Sequence, residues 1–291
     1  MFKTIPFQYD EALKREIDLH GYSYQTFKNY RCQLRRIADF FSKDIADITI
    51  EEMKSYLLRL KSVLKRSPQS LNVCRAAYYF FNQCVMGRDL SPYALPKHKL
   101  SRPLPDIISQ DRIVLVLSAL CLKHRAILSL CYGSGLRISE ALSVRTGDID
   151  STNMRVFVRD GKGHKQRYSI LSIYSLTILR KYYKAFRPKG AYLFPRRHDD
   201  DMKANPQHSQ LAFKREYTRL FPKESKRITI HTLRHCFATH LLDSGVDLRT
   251  IQILLGHKSI KSTCIYTHLT TKHFSQLVSP LDRAGGDSLE E

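Results

Sequence analysis

The stretch from His231 to Leu269, HTLRHCFATHLLDSGVDLRTIQILLGHKSIKSTCIYTHL, combines helical periodicity with polar side chains at regular spacings. His231 and Arg234 are three residues apart, so both side chains would project from one face of an α-helix. The adjoining stripe is apolar and consists of Leu233, Phe237 and Leu241. Burial of this stripe against the rest of the domain would hold the two polar side chains rigidly, as a catalytic site requires.

Further polar positions follow in the same stretch. Leu254-Leu255-Gly256-His257 predicts a helix that ends at the glycine, because glycine readily adopts the left-handed conformation that terminates helices. Helical spacing resumes in SIKSTCIYTHL, which contains Tyr266. His231 and His235 are four residues apart and could share a helical face as metal ligands, but no glutamate lies between them and no third ligand is evident nearby. A metal site is therefore not favoured.

Upstream of this stretch, the pattern predicts helices and one hairpin. A helix starts at about Ser109, and another ends in the turn CYGSGLR (131–137). The segment MRVFVRDGKGHKQRYSIL (154–171) has β-branched and aromatic residues on both sides of Gly161-Lys162-Gly163, which is typical of a β-hairpin. Because the GxxxxGK[ST] motif is absent, these glycines form a turn that presents Lys162 and not a nucleotide-binding loop. Helical periodicity returns at Ser175–Phe186, so the fold class is mainly α with a small β-sheet.

The first 95 residues have the spacing of a separate helical domain. Helices are predicted at Ser23–Lys43, from Thr49, where Glu52 completes a capping box, and at about Ser67–Met86. The segment SPYALPKHKLSRPLPD (91–106) contains four prolines and predicts an extended connection between domains. We expect a helical domain over residues 1–95, a proline-rich linker over 96–105, a second domain over 106–280 and a frayed tail over 281–291.

The composition limits the classes of function. The chain of 291 residues carries 48 Lys plus Arg against 27 Asp plus Glu, a formal net charge of +21 with a pI near 9.8. Such an excess concentrates polyanions, of which nucleic acid is the most plausible. No segment has the roughly 18 apolar residues of a membrane span, and the amino terminus lacks a signal-peptide core. The seven cysteines include no CxxC pair, so a cytoplasmic location with reduced thiols is expected and secreted, membrane-spanning and collagen-like proteins are excluded.

Residues 231–269 resemble the signature block of the tyrosine recombinase (phage integrase) family, and in particular its short Xer-type branch. The HxxR, LLGH and YTH boxes occur there in the family's order. Upstream, CYGSGLRISEAL (131–142) and GKGHKQR (161–167) are similar to the motifs that carry the family's first arginine and its hairpin lysine. The residues at the six catalytic positions of the family are Arg137, Lys162, His231, Arg234, His257 and Tyr266. The likeness covers about residues 102–272, and the helical domain before it is only weakly similar.

The resemblance implies an N-terminal helical core-binding (SAM-like) domain and an α+β catalytic domain, which together form a clamp on DNA. It implies a site-specific recombinase that cleaves and rejoins DNA strands through a 3′-phosphotyrosyl intermediate, without a cofactor, a metal or ATP. The partners would be double-stranded DNA at specific sites and further protomers, either of this chain or of a related recombinase, in a tetrameric synapse. In the cytoplasm the bound protein would associate with the nucleoid.

The chemistry of phosphodiester cleavage explains several of these residue types. Tyr266 would be the nucleophile, and because an unperturbed phenol has a pKa of about 10, it needs deprotonation or a strongly positive site. Arg137 and Arg234 would bind the non-bridging phosphate oxygens through their planar guanidinium groups. Lys162, at the tip of the hairpin, would protonate the 5′ oxygen as it leaves.

Four other positions complete the expected site or border it. His231 would act as a general base or proton carrier, and His257 would donate a hydrogen bond to the phosphate. Glu140 follows Arg137 by one helical turn and could either orient its guanidinium or form a plain surface pair. Cys264 could be a reactive thiol or, more in keeping with its size, a small packing residue.

The remaining expectations concern DNA contacts, assembly and competing functions. Additional DNA contacts are expected from Lys28, Arg31, Arg35, Lys165 and Arg167. The segment LTTKHFSQLV (269–278) predicts a short amphipathic helix, which would dock on a neighbouring protomer or pack on its own domain. Two other functions stay open: a type IB topoisomerase, which uses a similar residue set to relax one duplex, and a catalytically inert DNA-binding regulator on the same fold.

Overall fold

The computed structural model describes residues 8–100, 104–159, 166–196, 199–224, 228–257 and 259–268. The chain divides into two compact units, residues 1–102 and 103–291. Each unit has its own hydrophobic core. Over the described ranges, no helix combines the length and the apolar character needed to cross a membrane.

The described part of the first unit is entirely helical in its regular structure. Its helices are α1 (Asp10–Leu19), α2 (Tyr24–Phe41), α3 (Ile50–Ser62) and α4 (Pro68–Phe80), with a 3-10 turn at Ile45–Asp47 and a π-helical turn at Phe81–Val85. The capping box predicted at the third helix is confirmed: the amide of Glu52 donates to Thr49 Oγ1 at 3.2 Å, and the amide of Thr49 donates to Glu52 Oε2 at 2.9 Å. These two bonds satisfy amides that a helix start leaves without partners.

The first half of the proline-containing segment after α4 packs on the first unit. Leu95 is buried, and Arg75 Nε donates to its carbonyl at 2.8 Å. Asn72 exchanges two hydrogen bonds of 2.9 Å with the backbone of His98. These bonds hold residues up to His98 against α4, so the segment that can act as a connection begins after His98, later than the linker expected over 96–105.

The described part of the second unit is mostly helical and carries two small antiparallel sheets. Its α-helices are α5 (Gln110–Ala119), α6 (Leu122–Gly133), α7 (Ile138–Leu142), α8 (Ile173–Phe186), α9 (Pro206–Leu220), α10 (Ile230–Asp243) and α11 (Leu248–Leu255), and a 3-10 turn occupies Thr146–Asp148. Its strands are β1 (Ile149–Asp150), β2 (Arg155–Val158), β3 (Arg167–Ile170), β4 (Pro195–Arg196) and β5 (Asp199–Lys203). The fold class of helical domain plus α+β domain is confirmed.

The sheets differ in one respect from the sequence-based expectation. The predicted hairpin strands pair antiparallel as β2 and β3, with Val156 opposite Ser169, while the intervening residues 160–165 lie outside the described ranges. The expectation of a single sheet is wrong, because β4 and β5 form a second one. The sequence DDDMK of β5 is polar and exposed, so it lacks the apolar alternation that would have indicated a strand.

Two glycines in the left-handed region shape the end of this unit where α6, α10 and α11 meet. Gly256 (φ +63°) ends α11, as the sequence predicted. Gly135 (φ +62°) follows α6, and a Cβ atom there would lie 2.4 Å from Cδ1 of Phe237 on α10. After α11 the chain forms 3-10 segments at Ile260–Ser262 and Cys264–His268, shorter than the helical spacing had suggested.

Candidate active site

Arg234 is buried, with 1% of its surface exposed. It projects from α10, whose neighbouring residues Leu233 and Phe237 are buried as the apolar stripe predicted. Its guanidinium donates from Nη1 to the carbonyl of Gly135 at 2.6 Å and from Nη2 to the carbonyl of Leu255. These two bonds fix the plane of the guanidinium between the end of α6 and the end of α11.

Glu140 lies at the centre of a group of three arginines, and its side chain is 2% exposed. Arg137 donates to it twice, from its backbone amide at 2.8 Å and from Nη1 at 2.7 Å. Arg167 donates from Nη2 at 2.8 Å and from Nη1 at 3.2 Å, and Arg234 Nη1 lies 3.6 Å from Oε2. Of the two interpretations left open for Glu140, the structure therefore supports orientation of Arg137 and excludes a plain surface pair.

The cluster of these four residues, hereafter the arginine–glutamate cluster, carries a net positive charge. Desolvation alone would raise the pKa of Glu140, but the hydrogen bonds and charge of Arg167, the amide of Arg137 and the charge of Arg234 hold it below its usual value. Burial and the charge of Arg137 lower the pKa of Arg234 to about 9, against the opposing effect of Glu140. At neutral pH the carboxylate is ionised and three guanidinium groups surround it, an arrangement suited to a further anion.

Arg167 belongs to the same buried cluster. It was expected to contact DNA, but its side chain is 7% exposed, and besides Glu140 it binds the carbonyl of Leu254 through Nε at 2.8 Å. A Cβ atom at Gly256 would lie 3.0 Å from its Cδ atom, so the glycine also gives this side chain room. Arg167 thus joins strand β3 to the end of α11 and to the arginine–glutamate cluster, and its contact with DNA stays a prediction.

The two predicted catalytic histidines differ in exposure. His231 lies exposed at the first turn of α10, and desolvation, followed by the charges of Arg234 and Arg137, lowers the pKa of its imidazole. His257 is partly buried after α11, and its Nδ1 lies 3.0 Å from Oγ1 of Thr263. Desolvation and then the same two arginines lower the pKa of His257 to about 4. Both imidazoles are therefore mainly neutral at pH 7 and can accept a proton.

Tyr266 lies on the 3-10 segment that follows α11 and is 1% exposed. Its ring packs with the apolar residues Phe237, Ala238, Leu242, Ile251 and Leu255. Its hydroxyl lies 3.1 Å from Nδ1 of His235, and its ring is nearly parallel to that of His257, with the centroids 6.4 Å apart. Desolvation raises the pKa of Tyr266 to about 12, although the charges of Arg234 and Arg137 act in the opposite direction.

The other predicted catalytic and DNA-binding residues lie in the first unit or outside the described ranges. Lys162 and Lys165 lie outside the described residues, as does the segment 269–278. In the first unit, Arg31 binds the carboxylate of Asp10 through Nε at 2.6 Å and also through Nη2, and Arg35 Nη2 lies 3.9 Å from the same carboxylate. Lys28 is exposed, with Nζ 4.7 Å from the ring centroid of Tyr24. The DNA contacts expected from Lys28, Arg31 and Arg35 stay predictions.

Sequence reasoning missed two residues of this site. His235 was considered only as a metal ligand with His231; the two rings do meet, with centroids 4.6 Å apart, but the structure adds the hydroxyl of Tyr266 as its partner. Arg167 was expected to contact DNA, but its bond to Glu140 was not foreseen. No spacing rule could have found these roles, because β3, α7, α10 and the 3-10 segment come together through tertiary packing alone.

Two family matches cover most of the chain. Residues 106–273 match the phage integrase family, and residues 11–91 match the phage integrase N-terminal SAM-like domain. The chain therefore belongs to the phage integrase family of tyrosine recombinases.

Individual relatives agree with this assignment. The chain is 33% identical over 271 residues to the tyrosine recombinase XerA of Pyrococcus horikoshii, covering 92% of this chain and 91% of that protein. It is 32% identical to the tyrosine recombinase XerD of Corynebacterium glutamicum, covering 86% and 89% of the two chains. The crystal structure of XerA recombinase is similar with a TM-score of 0.53 and 25% identity, over 92% of this chain and 97% of that one. A lambda integrase dimer bound to a COC′ core site shares the fold, with a TM-score of 0.69 and 18% identity over 95% of this chain and 99% of that one.

Proposed function

We propose that this protein is a site-specific DNA recombinase that cleaves and rejoins strands through a covalent link to Tyr266. The observation that carries the proposal is the meeting of the arginine–glutamate cluster with Tyr266 and His257 where α6, α10 and α11 end. The charges of Arg137 and Arg234 act on the titration of both His257 and Tyr266, so the four groups share one electrostatic environment. That environment is suited to a phosphate beside a tyrosine.

The first step is attack on a DNA phosphate. The hydroxyl oxygen of Tyr266 forms a bond to phosphorus, and the bond from phosphorus to the 5′ oxygen breaks, which leaves a 3′-phosphotyrosyl ester and a free 5′-hydroxyl. Arg137 and Arg234 stabilise the added negative charge on the non-bridging oxygens, with their guanidinium groups held in place before the reaction by Glu140 and by backbone carbonyls. The phenolic proton passes to a neutral histidine, for which His231 is the exposed candidate.

The second step reverses the first with another strand. A 5′-hydroxyl from the partner duplex attacks the phosphotyrosyl ester and releases Tyr266, so one ester replaces another and no nucleotide is hydrolysed. Lys162 is the proposed donor of the proton that the leaving 5′ oxygen takes up in the first step. In the second step the attacking 5′-hydroxyl gives up its proton, and the released Tyr266 takes one up. Because exchange between two duplex sites involves four strands, we propose four protomers in the working complex.

The test is a comparison of wild type with Tyr266→Phe on a nicked suicide substrate. The duplex site is first recovered by selecting bound molecules from a random DNA pool, and the nick lets the 5′ fragment diffuse away so that the covalent complex accumulates. Wild type should give a protein–DNA adduct on a denaturing gel, whereas Tyr266→Phe should bind the site with unchanged affinity and give none. Tyr183→Phe, at an exposed position on α8, should behave as wild type.

Two outcomes would contradict the proposal. An adduct formed by Tyr266→Phe would mean that another residue is the nucleophile. If the protein relaxes a supercoiled plasmid without the selected site as fast as one that carries it, the result would favour a type IB topoisomerase over a recombinase.

A further inference from the structure

His235 is not among the residues assigned to the reaction, yet its imidazole contacts the hydroxyl of Tyr266. The two side chains come from α10 and from the 3-10 segment Cys264–His268, with ring centroids 5.7 Å apart and the Nδ1-to-hydroxyl distance 3.1 Å. This distance is that of an ordinary hydrogen bond. The contact therefore links the proposed nucleophile to the helix that carries His231 and Arg234.

The contact compensates the burial of a polar group. Over the described ranges, His235 Nδ1 is the hydrogen-bond partner found for the Tyr266 hydroxyl. A phenol that loses water without gaining a partner is strongly disfavoured, so this bond is what allows a residue with 1% exposure to keep its hydroxyl inside an apolar cluster.

At pH 7 the bond joins a neutral imidazole to a protonated phenol. Desolvation and then the charges of His231 and Arg234 lower the pKa of His235 to about 4, so its imidazole is neutral at pH 7. The phenol of Tyr266 stays protonated under the same conditions, because its pKa is raised. A buried, protonated phenol is a poor nucleophile, and a DNA phosphate has no access to it in this position.

The neighbouring histidines have other surroundings. His231 is exposed, and His257 Nδ1 faces the hydroxyl of Thr263. His235 is thus the histidine whose ring nitrogen contacts the hydroxyl of the proposed nucleophile.

From this geometry we propose that His235 is a positioning residue that holds Tyr266 in a closed, buried resting position, and that attack on DNA requires this hydrogen bond to break. The inference rests on the proposed function, since it takes Tyr266 as the nucleophile. It adds a restraint on that nucleophile: without bound DNA, the tyrosine is kept away from phosphates and other electrophiles.

The first experiment measures how accessible Tyr266 is, without DNA. Tetranitromethane nitrates exposed tyrosines, and mass spectrometry gives the extent of nitration at Tyr266 relative to Tyr93, which is 91% exposed. In wild type the ratio should be low. In His235→Phe, which keeps a ring but removes both ring nitrogens, the ratio should rise about three- to tenfold, the range expected when one neutral hydrogen bond is lost.

Two amide variants separate a hydrogen bond from mere filling of space. The amide of His235→Asn falls near the position of Nδ1, whereas that of His235→Gln falls near the position of Nε2. If the bond from Nδ1 holds the tyrosine, His235→Asn should restore a ratio within about twofold of wild type, while His235→Gln should resemble His235→Phe. An unchanged ratio in His235→Phe, or equal ratios in the two amide variants, would overturn the proposal. If His235→Phe does not fold, the comparison of His235→Asn with His235→Gln tests the proposal by itself.

The second experiment uses the suicide substrate. Because the closed position restrains attack, His235→Phe should form the covalent complex faster than wild type at saturating DNA, by a factor similar to the rise in nitration. An equal or slower rate would refute the restraint. Failure of the proposed function looks different: an adduct formed by Tyr266→Phe would remove Tyr266 as the nucleophile and would leave the nitration ratios unaffected.

Discussion

Replacing Glu140 by glutamine tests whether the arginine–glutamate cluster stabilises the second unit (residues 103–291). The substitution keeps the shape of the side chain, so it creates no cavity, but it removes the negative charge that Arg137, Arg167 and Arg234 share. Four hydrogen bonds end on the carboxylate, two on each oxygen, and glutamine offers an amide NH₂ in place of one oxygen. Two N–H donors, one from Arg137 and one from Arg167, would then face the NH₂ group of the glutamine in the protein interior.

The magnitude follows from these lost contacts. A hydrogen bond to a charged group contributes about 1.5–3 kcal/mol, and breaking a buried ion pair costs about 3–5 kcal/mol, so we expect Glu140→Gln to lower the free energy of unfolding by about 3–5 kcal/mol. For a unit of this size, 1 kcal/mol corresponds to about 2–4 °C, which gives a fall in melting temperature of about 6–20 °C.

The assay is differential scanning calorimetry of the whole chain at neutral pH, in which the unfolding transition of the second unit is followed. The matched control is Glu216→Gln on α9, since Glu216 also binds two arginines, Arg215 and Arg219, but both of these are exposed. The control should shift the melting temperature far less, because water screens exposed pairs. A fall of less than about 2 °C in Glu140→Gln, or an equal fall in the control, would refute the reasoning.

Two further predictions concern the stability of the same unit. Gly135→Ala should lower the free energy of unfolding by about 3 kcal/mol in urea titrations, because a left-handed backbone and a 2.4 Å approach to Phe237 both oppose a Cβ atom. The control Gly147→Ala, with open space around the glycine, should change the free energy of unfolding by less than about 0.5 kcal/mol. Stability should also rise with pH between about 4 and 6.5, because His235 and His257 have a pKa of about 4 when folded and about 6.5 when unfolded, so the unfolded chain binds more protons in that window. The difference between the melting temperatures at pH 5 and pH 7.5 measures this effect. If the double variant His235→Phe, His257→Phe shows the same difference as wild type, the prediction is contradicted.

Much of the helical architecture could be predicted from local sequence. The capping box at Thr49, the helix end at Gly256 and the apolar stripe on α10 are properties of short segments, and the structure contains each of them. What the local rules missed was β5, whose polar sequence has no apolar alternation, and the packing of the segment up to His98 on α4. Both depend on partners that are distant in sequence.

The sequence by itself determined the family and predicts the set of reacting residues, because the HxxR, LLGH and YTH spacings are local and specific. Tertiary structure alone decided how those residues are held. Glu140, one helical turn after Arg137, turned out to bind arginines from two other elements as well, and Arg167 proved to be part of that buried cluster. The position of Tyr266 was decided in the same way. Its chemistry follows from its residue type, but its burial and its bond to His235 arise only when α10, α11 and the final 3-10 segment pack together, because hydrogen bonding and desolvation depend on which groups meet in space.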